Sequence, residues 1–191
     1  MRIIAGRSRG RRLESLKGDT TRPTGSRVKQ TLFDILVADI PGSRFLDVFA
    51  GGGGIGLEAL SRGAARVVLV DESAAAAAGI RRNAQLLAEA GGEVRVFRQD
   101  ARLALQALAA AGERFDVVFL DPPYASDLYE PLLEEIGSVR LLAPGAVVVA
   151  EHFHKRSLPE TIGGLARARS VRVGDHRLTF YRRPEEEGRT S

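Results

Sequence analysis

Two stretches of this 191-residue chain combine residue types suited to group-transfer chemistry. The first is Asp121-Pro122-Pro123-Tyr124, which follows the apolar run FDVVFL. Two prolines have no N–H to give to a sheet ladder and stiffen the backbone, so the Asp121 carboxylate and the Pro122 carbonyl can face one ligand atom as two acceptors. An exocyclic amino group on a base is a poor nucleophile, because its lone pair is delocalised into the ring. Two acceptors holding its hydrogens pull the nitrogen toward tetrahedral geometry, and Tyr124 offers a ring on which an unstacked base can lie. Positioning and polar pre-organisation then suffice for transfer. The chain has no cysteine, so methylation through a thiolate adduct is excluded while attack by an amino nitrogen is untouched.

The second stretch is Asp47-Val48-Phe49-Ala50 followed by Gly51-Gly52-Gly53-Gly54-Ile55-Gly56. Gly51, Gly53 and Gly56 satisfy G-x-G-x-x-G, and Asp71 falls twenty residues after Gly51, the pattern of a nucleotide-binding βαβ turn. The loop by itself admits either a dinucleotide or S-adenosylmethionine, both of which present ribose hydroxyls to an acid such as Asp71, with Glu72 a second candidate. Asp47 suits the ammonium of a methionine moiety, whereas a pyrophosphate gains nothing from a carboxylate. Together with Asp121-Pro-Pro-Tyr124 this favours the methyl donor, held by Asp47, Phe49, Ala50, Gly51, Gly53, Gly56, Asp71 and Glu72. Asp100 and Ala101 are placed to bind its adenine, although Asp100 also reads as a helix N-cap. His152 and His154 lack a third ligand, so no metal site is expected. Asp116 reads as a strand-end surface charge, and Phe33 either covers the cofactor or packs in the core.

These residues must be positioned by alternating elements. Strands are expected at 45–49, 66–71, 93–97, 115–120 and 146–152, with helices at about 55–62, 74–90, 101–111 and 128–137. Nearly all-apolar strands alternating with helices indicate an α/β fold, a mostly parallel sheet with helices on both faces. A final pair, 168–173 and 177–182, joined at Gly174-Asp175-His176, closes the edge in antiparallel fashion. Residues 1–25 form a basic N-terminal extension in which Arg2–Ala5 and Arg11–Ser15 pair as a small hairpin. A helix carrying Val28, Leu32, Ile35 and Leu36 on one face bridges it to the domain at 26–183, and 184–191 is expected to be a disordered tail.

Charge is unevenly spread. Residues 1–30 carry nine Lys/Arg against two Asp/Glu, whereas the whole chain nets only +4. A basic head on a mildly acidic body suits a polyanion, with Arg2, Arg7, Arg9, Arg11, Arg12 and Arg22 as the phosphate contacts. No signal peptide and no membrane-spanning run is visible, which reads as a cytoplasmic protein.

Asp47-Val-Phe-Ala-Gly51, the run Gly56-Leu-Glu-Ala-Leu-Ser-Arg-Gly63, Asp121-Pro-Pro-Tyr124, the opening Arg2-Ile-Ile-Ala-Gly6 and the segment from Arg22-Pro-Thr24 through Arg27-Val28 to Leu32-Phe33 together resemble the RsmD-type bacterial methyltransferases. The resemblance covers residues 2 to about 183. It implies a Rossmann-like class I methyltransferase fold of seven strands with the last antiparallel, S-adenosylmethionine as cofactor, and methylation of the exocyclic N2 of a guanine in 16S ribosomal RNA, presented on a partly assembled small subunit. A monomer is expected. A DNA adenine-N6 methyltransferase would share the two motifs but needs a target-recognition domain for which there is no room. A nicotinamide-dependent oxidoreductase and a non-catalytic RNA-binding module are alternatives outside the class. Two positions depart from the family pattern: Gly52 stands where Ser or Thr is usual, and Ser26, read as an N-cap, stands where an acid is common.

Overall fold

A computed structural model describes residues 1–15, 25–123 and 126–184. Tyr124, Arg22 and the segment 185–191 lie outside the described residues. After the N-terminal stretch come α1 (Ser26–Ile35), β1 (Arg44–Val48), α2 (Gly56–Ser61), β2 (Arg66–Asp71) and α3 (Ala74–Gln85). Then follow β3 (Glu93–Arg98), α4 (Ala101–Ala110), β4 (Phe115–Leu120), α5 (Tyr129–Ser138), β5 (Leu142–Phe153), β6 (Thr161–Ile162), β7 (Leu165–Val173) and β8 (His176–Arg182). The sheet runs β3-β2-β1-β4-β5-β8-β7-β6, parallel from β3 to β5 and antiparallel beyond.

The described sheet has eight strands rather than the expected seven. The extra one, β6, contributes two residues paired back on β7 across Gly163-Gly164, both at positive φ. Two residues are too few to leave a periodic signature in sequence. The helix expected over 74–90 stops at Gln85, and a single 3-10 turn covers Ala88–Ala90. At the start of α1 the cap position belongs to Gly25, with no side-chain cap bond, so Ser26 is the first helical residue and not the N-cap.

Strand alternation splits the interior into two cores. Phe45, Val67, Leu69, Val117, Phe119, Val147 and Val149 pack against α1, α2 and the N-terminal stretch. Leu46, Val48, Val68, Val118, Leu120, Val148 and Ala150 pack against α4 and α5. Phe33 belongs to the first core: it is fully buried, stacks on Phe45 at 6.4 Å and lies under the Arg62 guanidinium at 4.7 Å, so of its two readings the core one holds.

The first fifteen residues are built into the first core and do not stand apart from it. Arg2 and Arg12 bridge antiparallel, with Ile3 and Leu13 both buried. Their anchor is Glu58 on α2, which is wholly buried. Its carboxylate accepts the backbone N–H of Ile4 at 2.8 Å and of Ala5 at 3.0 Å, and pairs with Lys29 at 3.0 Å and Arg62 at 2.8 Å. Gly6, at φ +83°, presses so close that a Cβ there would sit 1.9 Å from the Ser61 carbonyl oxygen. That contact admits only glycine.

Candidate active site

At the C-terminal edge of the parallel strands the chain turns sharply after β1. Phe49 takes φ +69°, the only non-glycine residue among those described to do so. Such conformations cluster at ligand-binding turns. Gly51 and Gly53 follow at φ +52° and +80°. Asp71, at the end of β2, receives the Gly51 N–H at 2.8 Å and the Ser73 N–H at 2.9 Å, so one carboxylate fixes both the glycine turn and the start of α3. Gly56 is buried, where a Cβ would come within 2.8 Å of Leu69. Its N–H goes to Asp47 Oδ2 at 2.8 Å. The last motif glycine therefore serves helix-against-sheet packing.

Asp47 is 1% exposed, and desolvation, opposed only by the Gly56 N–H, pushes its carboxyl up to about 7. Asp121 continues β4 on the same face and is also pushed well above the usual carboxylate range, first by burial and then by Glu151 and Asp47. Glu151, fully buried near the end of β5, completes the group. The β4–β5 register pairs Leu120 with Ala150, which sets Asp121 beside Glu151 one residue further on. Glu151 Oε1 accepts from His176 Nδ1 at 2.7 Å, whereas Oε2 is buried with no hydrogen-bond partner. Three acids, one with an orphaned oxygen, face one another in a desolvated site. That arrangement is costly for a bare protein and suits a cationic ligand.

The loop leaving β4 is held from beneath. Tyr129, fully buried, donates its hydroxyl to the Pro122 carbonyl at 3.1 Å. Among the described residues that is the one bond this oxygen accepts, which leaves its second lone pair. The Arg156 guanidinium lies 4.8 Å over the Tyr129 ring and donates to the Ser126 carbonyl at 2.9 Å.

The family model described as conserved hypothetical protein 95 matches residues 1–182. Ribosomal RNA small subunit methyltransferase D of Escherichia coli K12 is 33% identical over 183 residues, covering 96% of this chain and 90% of that one. Its Haemophilus influenzae namesake is 39% identical over 151 residues, covering 79% and 78%. The solved structure of yhhF from Escherichia coli matches with a TM-score of 0.83 at 34% identity, covering 96% and 97%. The chain belongs to the methyltransferase D family.

The fold of this methyltransferase D relative is accordingly the Rossmann-like class I methyltransferase fold, with one short edge strand added. Its departure at Gly52 is not forced by packing: the atom a Cβ there would meet first, Met1 Cε at 2.3 Å, is the far end of a flexible side chain that can move aside. Asn83, buried on α3, ties Gly52 to Glu14 of the N-terminal hairpin. Its amide donates to the carbonyls of Gly52 at 3.0 Å and Glu14 at 3.1 Å and accepts the Glu14 N–H at 2.8 Å.

The remaining predicted residues divide. Asp100 caps α4 through the N–H groups of Arg102 and Leu103, so the N-cap reading holds, with Ala101 buried behind it. Glu72 is exposed beside Asp71, and Ala50 is buried under the glycine turn. Asp116 is more than a surface charge: Arg44 grips it through Nε and Nη2, and the hydrogen bond holds its carboxyl below the usual range. Among the described residues no acid, histidine or cysteine group has the arrangement of a metal site. His152 Nδ1 donates to the Phe153 carbonyl and Nε2 accepts from the Thr179 hydroxyl at 2.8 Å, while His154 bonds the Asp175 carbonyl. No described helix is long and apolar enough to cross a membrane.

Arg2, Arg7, Arg9, Arg11 and Arg12 are all exposed. The loop from Arg7 to Arg12 lines a concavity of about 490 Å³. Its Arg7 backbone N–H bonds the Ser61 carbonyl and its Arg7 side chain the Ala90 carbonyl. Both carbonyls precede strands, so the loop tip sits at the N-terminal edge of the sheet. A six-residue strand spans about 20 Å, which separates this basic loop from the three acids. Sequence reasoning missed Glu151, Tyr129, Glu58 and Asn83. Glu151 alone had a legible signal, an acid inside the apolar strand AVVVAEH.

Proposed function

We propose that this chain transfers a methyl group from S-adenosylmethionine to the exocyclic N2 of a guanine in 16S ribosomal RNA. Its family supports methyl transfer, and the names of its relatives support ribosomal RNA as the substrate. The observation that carries the reading is the meeting of Asp47, Asp121 and the half-satisfied Glu151 at the end of β1, β4 and β5. A site this acidic and desolvated fits a cofactor that is both a sulfonium and an ammonium, and disfavours a pyrophosphate. When bound, that cofactor supplies an electrophilic methyl.

In this reading Phe49, Ala50, Gly51 and Gly53 open the backbone to the cofactor, Asp47 receives its ammonium, Asp71 and Glu72 its ribose hydroxyls, and Asp100 and Ala101 border its adenine. Asp121 and the free lone pair of the Pro122 carbonyl accept the two hydrogens of the guanine amino group. The Tyr129 hydroxyl orients that carbonyl. Pro123 stiffens the loop and Tyr124 stacks the base. The methyl would leave with its bonding pair remaining on the cofactor sulfur, and the amino nitrogen would then lose a proton, which the raised affinity of Asp121 for a proton suits it to take. The basic residues of the N-terminal hairpin, with Arg22, contact RNA phosphates, within a small-subunit assembly particle and with the enzyme as a monomer.

The test is to incubate the protein with labelled S-adenosylmethionine and, separately, unmodified small subunits, protein-free 16S RNA and duplex DNA, and to map the labelled nucleotide. Label on guanine N2 of the ribosomal RNA is expected. Label on DNA adenine alone overturns the reading.

A further inference from the structure

The basic hairpin tip lies at the wrong end of the sheet to hold the nucleotides next to the target base. A second basic surface lies at the right end. Where β5 leaves the sheet, His152, His154, Lys155, Arg156, Arg167 and Arg177 line a cavity of about 400 Å³ with no acid in its wall. Arg156 is held by the Ser126 carbonyl and Arg177 by the Ser170 hydroxyl at 3.0 Å, both neutral acceptors, whereas Arg167 is ion-paired with Glu160. The nearest carboxylates to Arg156 and Arg167 belong to the exposed Asp127 and Glu160. The floor is the linked hydroxyls of Thr179 and Ser170 beside His152. Burial, Arg177 and Arg156 all hold His152 below its ordinary value, in keeping with a field that attracts anions.

At the rim stands Phe153, 38% exposed, with its ring against His154 at 4.6 Å and Lys155 Nζ 6.0 Å from its centre. Phe153 lies two residues beyond Glu151, on the face that carries the three acids, while the cavity opens on the other face. An exposed aromatic beside a cationic, hydroxyl-floored hollow is the chemistry of single-stranded nucleic acid binding: stacking for a base and charge for its phosphate.

We infer that Phe153, Lys155, Arg156 and Arg177 form the cleft for the RNA strand flanking the target guanine, in which the cavity takes a backbone phosphodiester and Phe153 stacks an adjacent base. This rests on the reading of RNA as substrate.

The experiment measures binding of unmodified protein-free 16S RNA between about 50 and 200 mM KCl, with S-adenosylmethionine affinity and thermal melting as controls. Lys155→Ala with Arg177→Ala is expected to weaken RNA binding roughly tenfold and to lower the salt slope by about 0.7 for each phosphate no longer neutralised. Lys155→Arg with Arg177→Lys restores both. Phe153→Ala is expected to weaken binding by roughly five- to hundredfold with the slope unchanged. Cofactor affinity and melting stay at wild-type values in all of them. A double variant that methylates and binds RNA like the wild type, while the wild type remains active, overturns the cleft but leaves the RNA reading standing. A wild type that methylates no RNA overturns both. Polyglutamate competing as strongly as RNA overturns the cleft in favour of an acidic protein partner.

Discussion

Asp47→Asn should make the ligand-free protein more stable at alkaline pH and a worse binder of its cofactor. In the fold the Asp47 carboxyl sits at about 7, against 3.8 without burial. Between those values the native state holds a proton that the unfolded chain has lost, so the contribution of Asp47 to stability falls as pH rises from about 4 to 7 and stays at its low level above that. The rise from 3.8 to about 7 sets a ceiling of about 4 kcal/mol at 1.36 kcal/mol per pH unit. Asparagine does not titrate, keeps the size, and can still accept the Gly56 N–H. The variant should therefore match the wild type only below about pH 4, already exceed it modestly at pH 5, and exceed it at pH 8 by up to about 4 kcal/mol. Part of the rise in Asp121 relaxes with it, since Asp47 is one of its causes. Losing a charged partner for the ammonium removes about 1.5–3 kcal/mol of binding, or roughly ten- to hundredfold in affinity. The assay is denaturant unfolding at pH 5, 6, 7 and 8, with calorimetric titration of S-adenosylmethionine at each pH. The wild type should also bind more tightly from pH 6 to 8 and release protons on binding. An Asp47→Asn protein with the wild-type pH slope, or with unchanged cofactor affinity, would refute the reasoning.

Asp121→Ala should retain cofactor binding and lose methyl transfer by roughly a hundredfold or more in single-turnover assays. Tyr129→Phe, which removes the O–H bond to Pro122, should lower kcat about two- to tenfold with KM for the cofactor unchanged; the KM-against-kcat split in steady-state kinetics checks it. Glu58→Ala leaves Lys29 and two backbone N–H groups without their buried carboxylate and should cost about 3–5 kcal/mol, with amide exchange accelerated across residues 3–13. Neutralising Arg9, Arg11 and Arg12 should weaken RNA binding and flatten its salt dependence while sparing the cofactor, and an unchanged salt slope would show that the hairpin does not hold RNA.

Much of this molecule is local enough to be read from its residues. Strands β1 to β4 are largely apolar runs of five or six residues, α2 to α4 are rich in alanine or leucine, and each of those four strands falls within about a residue of its expectation. The glycine turn and Asp121-Pro-Pro are short, contiguous motifs whose backbone demands are written in their residue types. The extent of β5 and the existence of β6 were not legible, because an edge strand of two residues is made by the Gly163-Gly164 turn and by its neighbour, with no pattern of its own.

What the sequence alone determined was the order of elements, the two motifs and the family. Only the tertiary structure decided which side chains meet. Glu58 and Glu151 look like ordinary acids in the chain, yet folding strips both of water, and each is then defined by its surroundings. Glu58 is surrounded by donors and becomes the anchor of the N-terminal hairpin. Glu151 is set beside two other acids with one oxygen unpaired, and so joins the acidic group that we propose receives the cofactor. The same holds for the arginines: their number is a property of composition, but which of them lies near Asp121 is set by the direction of the strands, and that puts the hairpin tip at one edge of the sheet and Lys155, Arg156 and Arg177 at the other.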